Sequence, residues 1–265
     1  MTLLEAIILG IIQGLSEFIP ISSSGHLALG KHFFGISEPD LPFIIMVHLG
    51  TLVPVFIIYR KDIWAIIRRP FQKMTALLII ATIPAVIAGL FLEDRVEQAL
   101  ASLHFLAAGF IITGIVLLFS DRISKTNKDE ENISKFDAAL VGIAQAIAIF
   151  PGISRSGATL SAALGRKINR EAAARFVFLM SIPIILGAAA LYTLQIIRGD
   201  LPAYAIDWPG MAAGFAAAAL SGYLAISYML SAIRRARLRI FAIYVFTLAA
   251  IILLDIFALS GRIFA

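Results

Sequence analysis

Six stretches of this chain, each 19 to 24 residues long, hold between them only two formally charged side chains, Arg175 and Asp255. They cover residues 41–59, 74–92, 99–119, 174–197, 210–233 and 240–259. As helices, rising about 1.5 Å per residue, each can cross a hydrocarbon core about 30 Å thick. A soluble domain of 265 residues would need far more polar surface to cover them than 15% charged residues can supply. The expected fold is therefore all-α and polytopic, with six full spans in a lipid bilayer. The net charge of +5 does not point to nucleic acid, because the bases cluster in short loops between the apolar runs. With no cysteine present, disulfides, thiolate nucleophiles and cysteine metal sites are excluded. The N-terminus lacks a basic region and Glu5 interrupts its apolar stretch, so a cleaved signal peptide is not expected.

Two further regions, 1–34 and 136–164, are apolar but broken in the middle. Each break carries a proline and a Ser/Gly-rich stretch, Pro20-Ile-Ser-Ser-Ser-Gly25 and Pro151-Gly-Ile-Ser-Arg-Ser-Gly157. Proline ends the incoming helix, and serine is a good N-cap for an outgoing one. The outgoing arms, about 12 residues each, are too short to span. Both regions read as re-entrant helical hairpins. They also resemble each other. A shift of 132 positions aligns Gly10 with Gly142, Ile11 with Ile143, Gln13 with Gln145 and Phe18 with Phe150. It also pairs Ile21 with Ile153, Ser22 with Ser154, Ser24 with Ser156 and Gly25 with Gly157, eight identities in sixteen positions. Chance in so biased a composition gives about one or two, so the chain reads as a duplication.

One membrane domain, 1–265, is expected, with repeat 1 at about 1–119, repeat 2 at about 136–259, and a cytoplasmic loop 120–135 between them. Orientation follows from the bases. Arg60, Lys61, Arg68, Arg69 and Lys73 place the first loop between spans in the cytoplasm, and the acidic 93–98 turn then falls outside. Arg122, Lys125, Lys128 and Lys135, then Arg166, Lys167 and Arg170, then Arg234, Arg235, Arg237 and Arg239, all return inside provided both hairpins dip and come back. The N-terminus and first hairpin then lie on the outer side and the second hairpin enters from inside. The halves are inverted, and such folds place their site near the midplane, where broken helices meet.

Ionisable groups within a bilayer are functional candidates by default. Gln13 and Glu17 share a helix face at i and i+4, and the Ser22-Ser23-Ser24-Gly25-His26 tip follows directly. In the second half stands Ser154-Arg155-Ser156, with Thr159 one turn on. Two helix N-termini, an Arg fork and several hydroxyls describe a site for a phosphate-type anion. Each residue also has a plainer role open to it: Glu17 pairing with Arg155, His26 capping a helix or bonding a carbonyl, the serines acting as caps. His48 and His104 read as packed or hydrogen-bonded residues, and Asp255 as an interface residue.

These residues carry a family resemblance. Gln13-Gly-Leu-Ser-Glu17-Phe-Ile-Pro20-Ile-Ser-Ser-Ser-Gly-His26 resembles the first signature of the bacterial undecaprenyl-diphosphatases of the bacitracin-resistance type, and Pro151-Gly-Ile-Ser-Arg155-Ser-Gly-Ala-Thr159 resembles the second. The resemblance covers essentially the whole chain. It implies removal of the terminal phosphate from undecaprenyl diphosphate, recycling the carrier lipid for cell-wall synthesis in the bacterial inner membrane and conferring bacitracin resistance. Many members have Glu at the first position of the acidic motif; Gln13 leaves Glu17 as the only acid of the pair. Arg155, Ser154, Ser156, Thr159 and the two helix N-termini are expected to hold the diphosphate, with Gln13, Ser22 and Ser24 as further binding residues. Ser23 is a nucleophile candidate with His26 as its base, and His26 is itself a second candidate. Glu17 either supports His26 or holds a divalent cation, magnesium or calcium, with Gln13; no organic cofactor is expected. The expected partners are the lipid diphosphate and the bilayer, and a homodimer is compatible with them. The rival class is a transporter or flippase of a polyprenyl phosphate, since inverted repeats with broken helices are common in carriers.

Overall fold

The computed structural model describes residues 1–36, 41–123, 126–198, 207–235, 237–258 and 263–264. Lys125 and position 259, named above, lie outside them. The described residues form α1 (Leu3–Phe18), α2 (Ser23–Phe33), α3 (Leu41–Ile58), α4 (Arg60–Arg68), α5 (Lys73–Leu100), α6 (Leu103–Asp121), α7 (Lys135–Ile147), α8 (Arg155–Gly165), α9 (Arg170–Arg198), α10 (Trp208–Arg234) and α11 (Arg239–Ala258). Six of these helices, α3, α5, α6, α9, α10 and α11, are long and apolar enough to cross a membrane, and they are the six expected spans. The acidic stretch 93–98 is a correction: it is no turn, because α5 continues through it to Leu100. Nothing between Glu93 and Gln98 breaks a helix, and polarity alone does not. The third span accordingly begins at Leu103 rather than at 99. The basic connection after α3 is itself helical, as α4.

Elements 132 residues apart correspond closely. α2 and α8 are both 11 residues long and start at equivalent positions. α1 and α7 open with matching capping boxes, Thr2 with Glu5 and Ser134 with Asp137. The packing crosses between halves. α1 lies on α10 and α7 lies on α5, while α6 and α11 pair with each other.

Apolar burial gains little inside lipid, so close backbone approach and van der Waals contact must hold these helices together. Small residues supply that approach: a Cβ on Gly10 of α1 would lie 2.9 Å from the Cα of Gly214 on α10. Its counterpart Gly142 on α7 meets the Cα of Ala81 on α5 at the same 2.9 Å. The lipid face shows the opposite pattern, with Ile79, Ile83, Leu90 and Phe91 of α5 and Leu220 and Leu224 of α10 all exposed.

The basic loops meet at one end of the molecule. Arg175 of α9 pairs with Asp62 of α4 and with Glu130 at 2.6 Å. Arg170 donates to the carbonyls of Ile123 and Ile233, and Arg234 pairs with Glu171. Asp137, fully buried, accepts from Lys128 at 2.8 Å, Arg166 at 2.6 Å and the Ser134 N–H at 3.0 Å. Burial opposes its charge, but Lys128, Ser134 and Arg166 outweigh that and hold its carboxyl well below the usual range. Asp255, near the end of α11, is fully buried and accepts the backbone N–H groups of Ile263 and Phe264 at 2.9 and 3.0 Å.

Candidate active site

α1 stops at Phe18, two residues before Pro20. The chain then turns through Ser22, whose φ of 71° and ψ of 97° lie in a region L-residues rarely adopt. Such a backbone costs on the order of 1–3 kcal/mol and persists only where its surroundings enforce it. Ser22 Oγ caps the Gly25 N–H at 3.4 Å, and α2 begins at Ser23. In the second half the turn is made by Gly152, at φ 82°, where a glycine pays no steric penalty. Ser154 Oγ caps the Gly157 N–H at 3.1 Å, and α8 begins at Arg155. Thr113 of α6 braces this second tip. Its hydroxyl accepts from the Ser154 N–H at 2.9 Å and donates to the Gly152 carbonyl at 2.8 Å.

The tips meet each other in matched contacts. A Cβ on Gly25 would lie 3.3 Å from the Gly152 Cα, and one on Gly157 would lie 3.3 Å from the Pro20 Cβ. Gly25 and Gly157 are 132 positions apart, as are Pro20 and Gly152. The two helix N-termini, each with first-turn N–H groups that lack helical partners, are thus brought together.

Glu17 sits at this meeting point, 5% exposed. Its Oε2 accepts from Ser23 Oγ at 2.6 Å and from Gln13 Nε2 at 3.0 Å. Its Oε1 accepts from the Arg155 guanidinium, an ion pair across 138 residues of sequence. Ser23 and Arg155 are each the first residue of their half-helix, so the pseudo-equivalent positions of both tips converge on one carboxylate. Ser22 and Ser24 bond each other at 3.3 Å, as Ser154 and Ser156 do at 3.2 Å. Thr159, fully buried, donates to the Arg155 carbonyl at 2.7 Å. Arg155, Ser156 and Thr159 line a cavity with Glu17, Gln145 and Phe178. Its volume of about 10 Å³ holds about one water.

The expected Ser23–His26 pair is not formed. The ring of His26 turns to the other side of α2, toward α6 and α11. Its Nδ1 donates to the Ser22 carbonyl at 2.7 Å, its Nε2 lies 2.8 Å from the Tyr244 hydroxyl, and the ring meets Phe110 edge-on. With Nδ1 donating to a carbonyl, a neutral imidazole leaves Nε2 as the acceptor and Tyr244 as the donor. Glu17, not His26, holds the Ser23 hydroxyl.

Both tips fall inside a longer match: the family model described as bacitracin resistance protein BacA covers residues 6–251. The chain belongs to this family. A Carboxydothermus hydrogenoformans relative named undecaprenyl-diphosphatase is 46% identical over 249 residues, covering 94% of this chain and 95% of its own. A Bacillus cereus relative, undecaprenyl-diphosphatase 3, is 44% identical over 253 residues, covering 96% and 97%. An undecaprenyl-diphosphatase from Caldicellulosiruptor bescii is 40% identical over 261 residues.

His48, read from the sequence as packed or hydrogen-bonded, is hydrogen-bonded and also faces the Glu17 cluster. Its Nδ1 donates to the Ile44 carbonyl at 2.7 Å, leaving Nε2 facing Glu17 Oε2 at 3.9 Å. It lies in a full span with no motif around it, so no sequence signal marks it. Tyr244 and Thr113 were missed for the same reason. Among the described residues no three His, Asp or Glu side chains converge as a metal cage. Two buried amide oxygens at the site lack a hydrogen-bond partner, Gln13 Oε1 beside Glu17 and its repeat counterpart Gln145 Oε1 in the cavity lining.

Proposed function

We propose that the chain hydrolyses a polyprenyl diphosphate, undecaprenyl diphosphate by kinship with its relatives, to the monophosphate and inorganic phosphate. Recycling of a cell-wall carrier lipid and resistance to bacitracin follow from that activity. The observation that carries the reading is Glu17 accepting from both Ser23 and Arg155 where two helix N-termini meet. This arrangement joins a hydroxyl, its base and an anion grip.

The diphosphate draws Arg155 away from Glu17 by offering the guanidinium a two-pronged phosphate in place of a carboxylate. The Ser23 hydroxyl then attacks the terminal phosphorus, and its proton moves to Glu17 Oε2. The bond from that phosphorus to the bridging oxygen breaks, and the lipid monophosphate leaves as that proton returns to it. Water next attacks the phosphoserine and restores Ser23, with Glu17 relaying the proton. Ser154, Ser156 and the first-turn N–H groups of α2 and α8 hold phosphate oxygens, and Thr159 keeps the Arg155 turn in place. Gln13 Oε1 and Glu17, together with substrate phosphate oxygens, are the groups that would hold a divalent cation. Such an ion would neutralise charge on the leaving phosphate.

In the bilayer the two halves form an inverted repeat whose broken helices enter from opposite faces. The basic end faces the cytoplasm of a bacterial inner membrane, and the N-terminus lies outside. The polyprenyl tail stays in lipid between the spans. The deciding experiment is phosphate release from a detergent-solubilised polyprenyl diphosphate by the purified chain. Release that Glu17→Gln abolishes is the expected outcome. No release, with transfer of the lipid monophosphate across vesicles intact, would leave the carrier reading standing instead.

A further inference from the structure

His26 is the one ionisable residue of the first motif that does not touch Glu17, and its contacts point elsewhere. Its Nδ1 donates to the carbonyl of Ser22, a residue held at φ 71°. Among the described residues only Ser22 and Lys167 combine a side chain with positive φ, and Lys167 lies far along the chain in a polar turn. Ser22 immediately precedes Ser23, so its backbone angles set the direction in which the Ser23 hydroxyl points. The bond from the ring to the carbonyl fastens the turn in that unusual conformation. The ring is in turn fixed from outside the motif. The Tyr244 hydroxyl of α11 reaches His26 Nε2 at 2.8 Å, and the two rings stack with centroids 5.6 Å apart and planes 12° from parallel. Phe110 of α6 closes the other side of the imidazole edge-on at 5.4 Å.

We infer that Tyr244 is a positioning residue: through His26 it locks the strained Ser22 turn that aims Ser23 at Glu17. The position 132 residues after His26 is Ala158, and 132 before Tyr244 is Ile112. The second half therefore carries no such clamp, and it needs none, because Gly152 makes its turn without strain. This assignment rests on the diphosphatase reading for its catalytic consequence, but the clamp is observable by itself.

The test uses the full chain in detergent or nanodiscs. Tyr244→Phe keeps the stacked ring and removes only the hydroxyl. Turnover should fall about tenfold, near the upper value of one net hydrogen bond, with KM for the lipid diphosphate nearly unchanged. The ¹⁵N signal of His26 Nε2 should shift as it loses its donor while Nδ1 stays protonated. In a Ser22→Gly background the turn carries little strain, since glycine adopts positive φ freely. Whatever Ser22→Gly itself does, adding Tyr244→Phe to it should then change turnover by less than about twofold. Tyr244→Phe with wild-type turnover would overturn the inference, as would an undiminished tenfold loss on top of Ser22→Gly. The nitrogen signals report the clamp whether or not phosphate is released, so a failure of the diphosphatase reading is told apart from a failure of this one.

Discussion

Glu17 is where the chemistry of individual residues is decided. This buried carboxylate takes three donors from three different positions, so each partner's loss has a separate consequence. Ser23→Ala and Glu17→Gln remove nucleophile and base, and each should lower phosphate release about 10²–10⁴-fold. Because the two act as a unit, the double variant should be scarcely slower than either single. Additive losses in the rate assay would break the pairing of Ser23 with Glu17. Arg155→Lys keeps the charge but loses the planar fork. Turnover should fall at least about tenfold, and a variant retaining more than that would reduce Arg155 to balancing the Glu17 charge. Both tests follow from tertiary contacts. From the motif, His26 was the natural base for Ser23, but its ring faces Tyr244 and Glu17 holds the Ser23 hydroxyl instead.

At the scale of elements, the second tip depends on α6 in a way the first does not. Gly109 lets α6 come so close that a Cβ there would lie 2.7 Å from the Gly152 Cα. That contact is with backbone and cannot yield as a flexible side chain would. Thr113, one turn on, satisfies the Ser154 N–H and the Gly152 carbonyl. Thr113→Val is nearly isosteric but strands both groups in a buried setting. Stability should drop by roughly 1–3 kcal/mol, read as an earlier melting transition in detergent. Phosphate release should fall with it, because the tip that carries Arg155 loosens. Unchanged melting would show that water or another group takes over both bonds. The helix starts themselves were legible in advance, since serine caps and proline stops act within four residues. The brace from α6 was not, because Thr113 looks like any small polar residue in a span.

For the molecule as a whole, the arrangement of the two halves decides which surface meets which compartment. The absence of native cysteine makes single-cysteine labelling clean. Lys135→Cys, exposed at the basic end, should react with an impermeant probe only from the cytoplasmic side. Gln98→Cys, exposed near the end of α5, should react only from outside. Labelling of both from one side would overturn the inverted arrangement and the shared midplane site together.

Membrane thickness and local backbone chemistry act over short stretches of chain, so the six spans, the two broken helices and their repeated capped tips can be read from residue order alone. The same locality explains its errors: residues 93–98 looked like a turn because they are polar, although α5 carries on through them. Which groups meet is set by the packing of the helices. Glu17 reaching Arg155 across 138 positions depends on how helices pack, as do His48 at Glu17 and Tyr244 at His26. No short-range pattern encodes that packing. In lipid it is set by where small residues such as Gly10 and Gly142 let backbones touch, and those contacts brought two half-helices to one carboxylate.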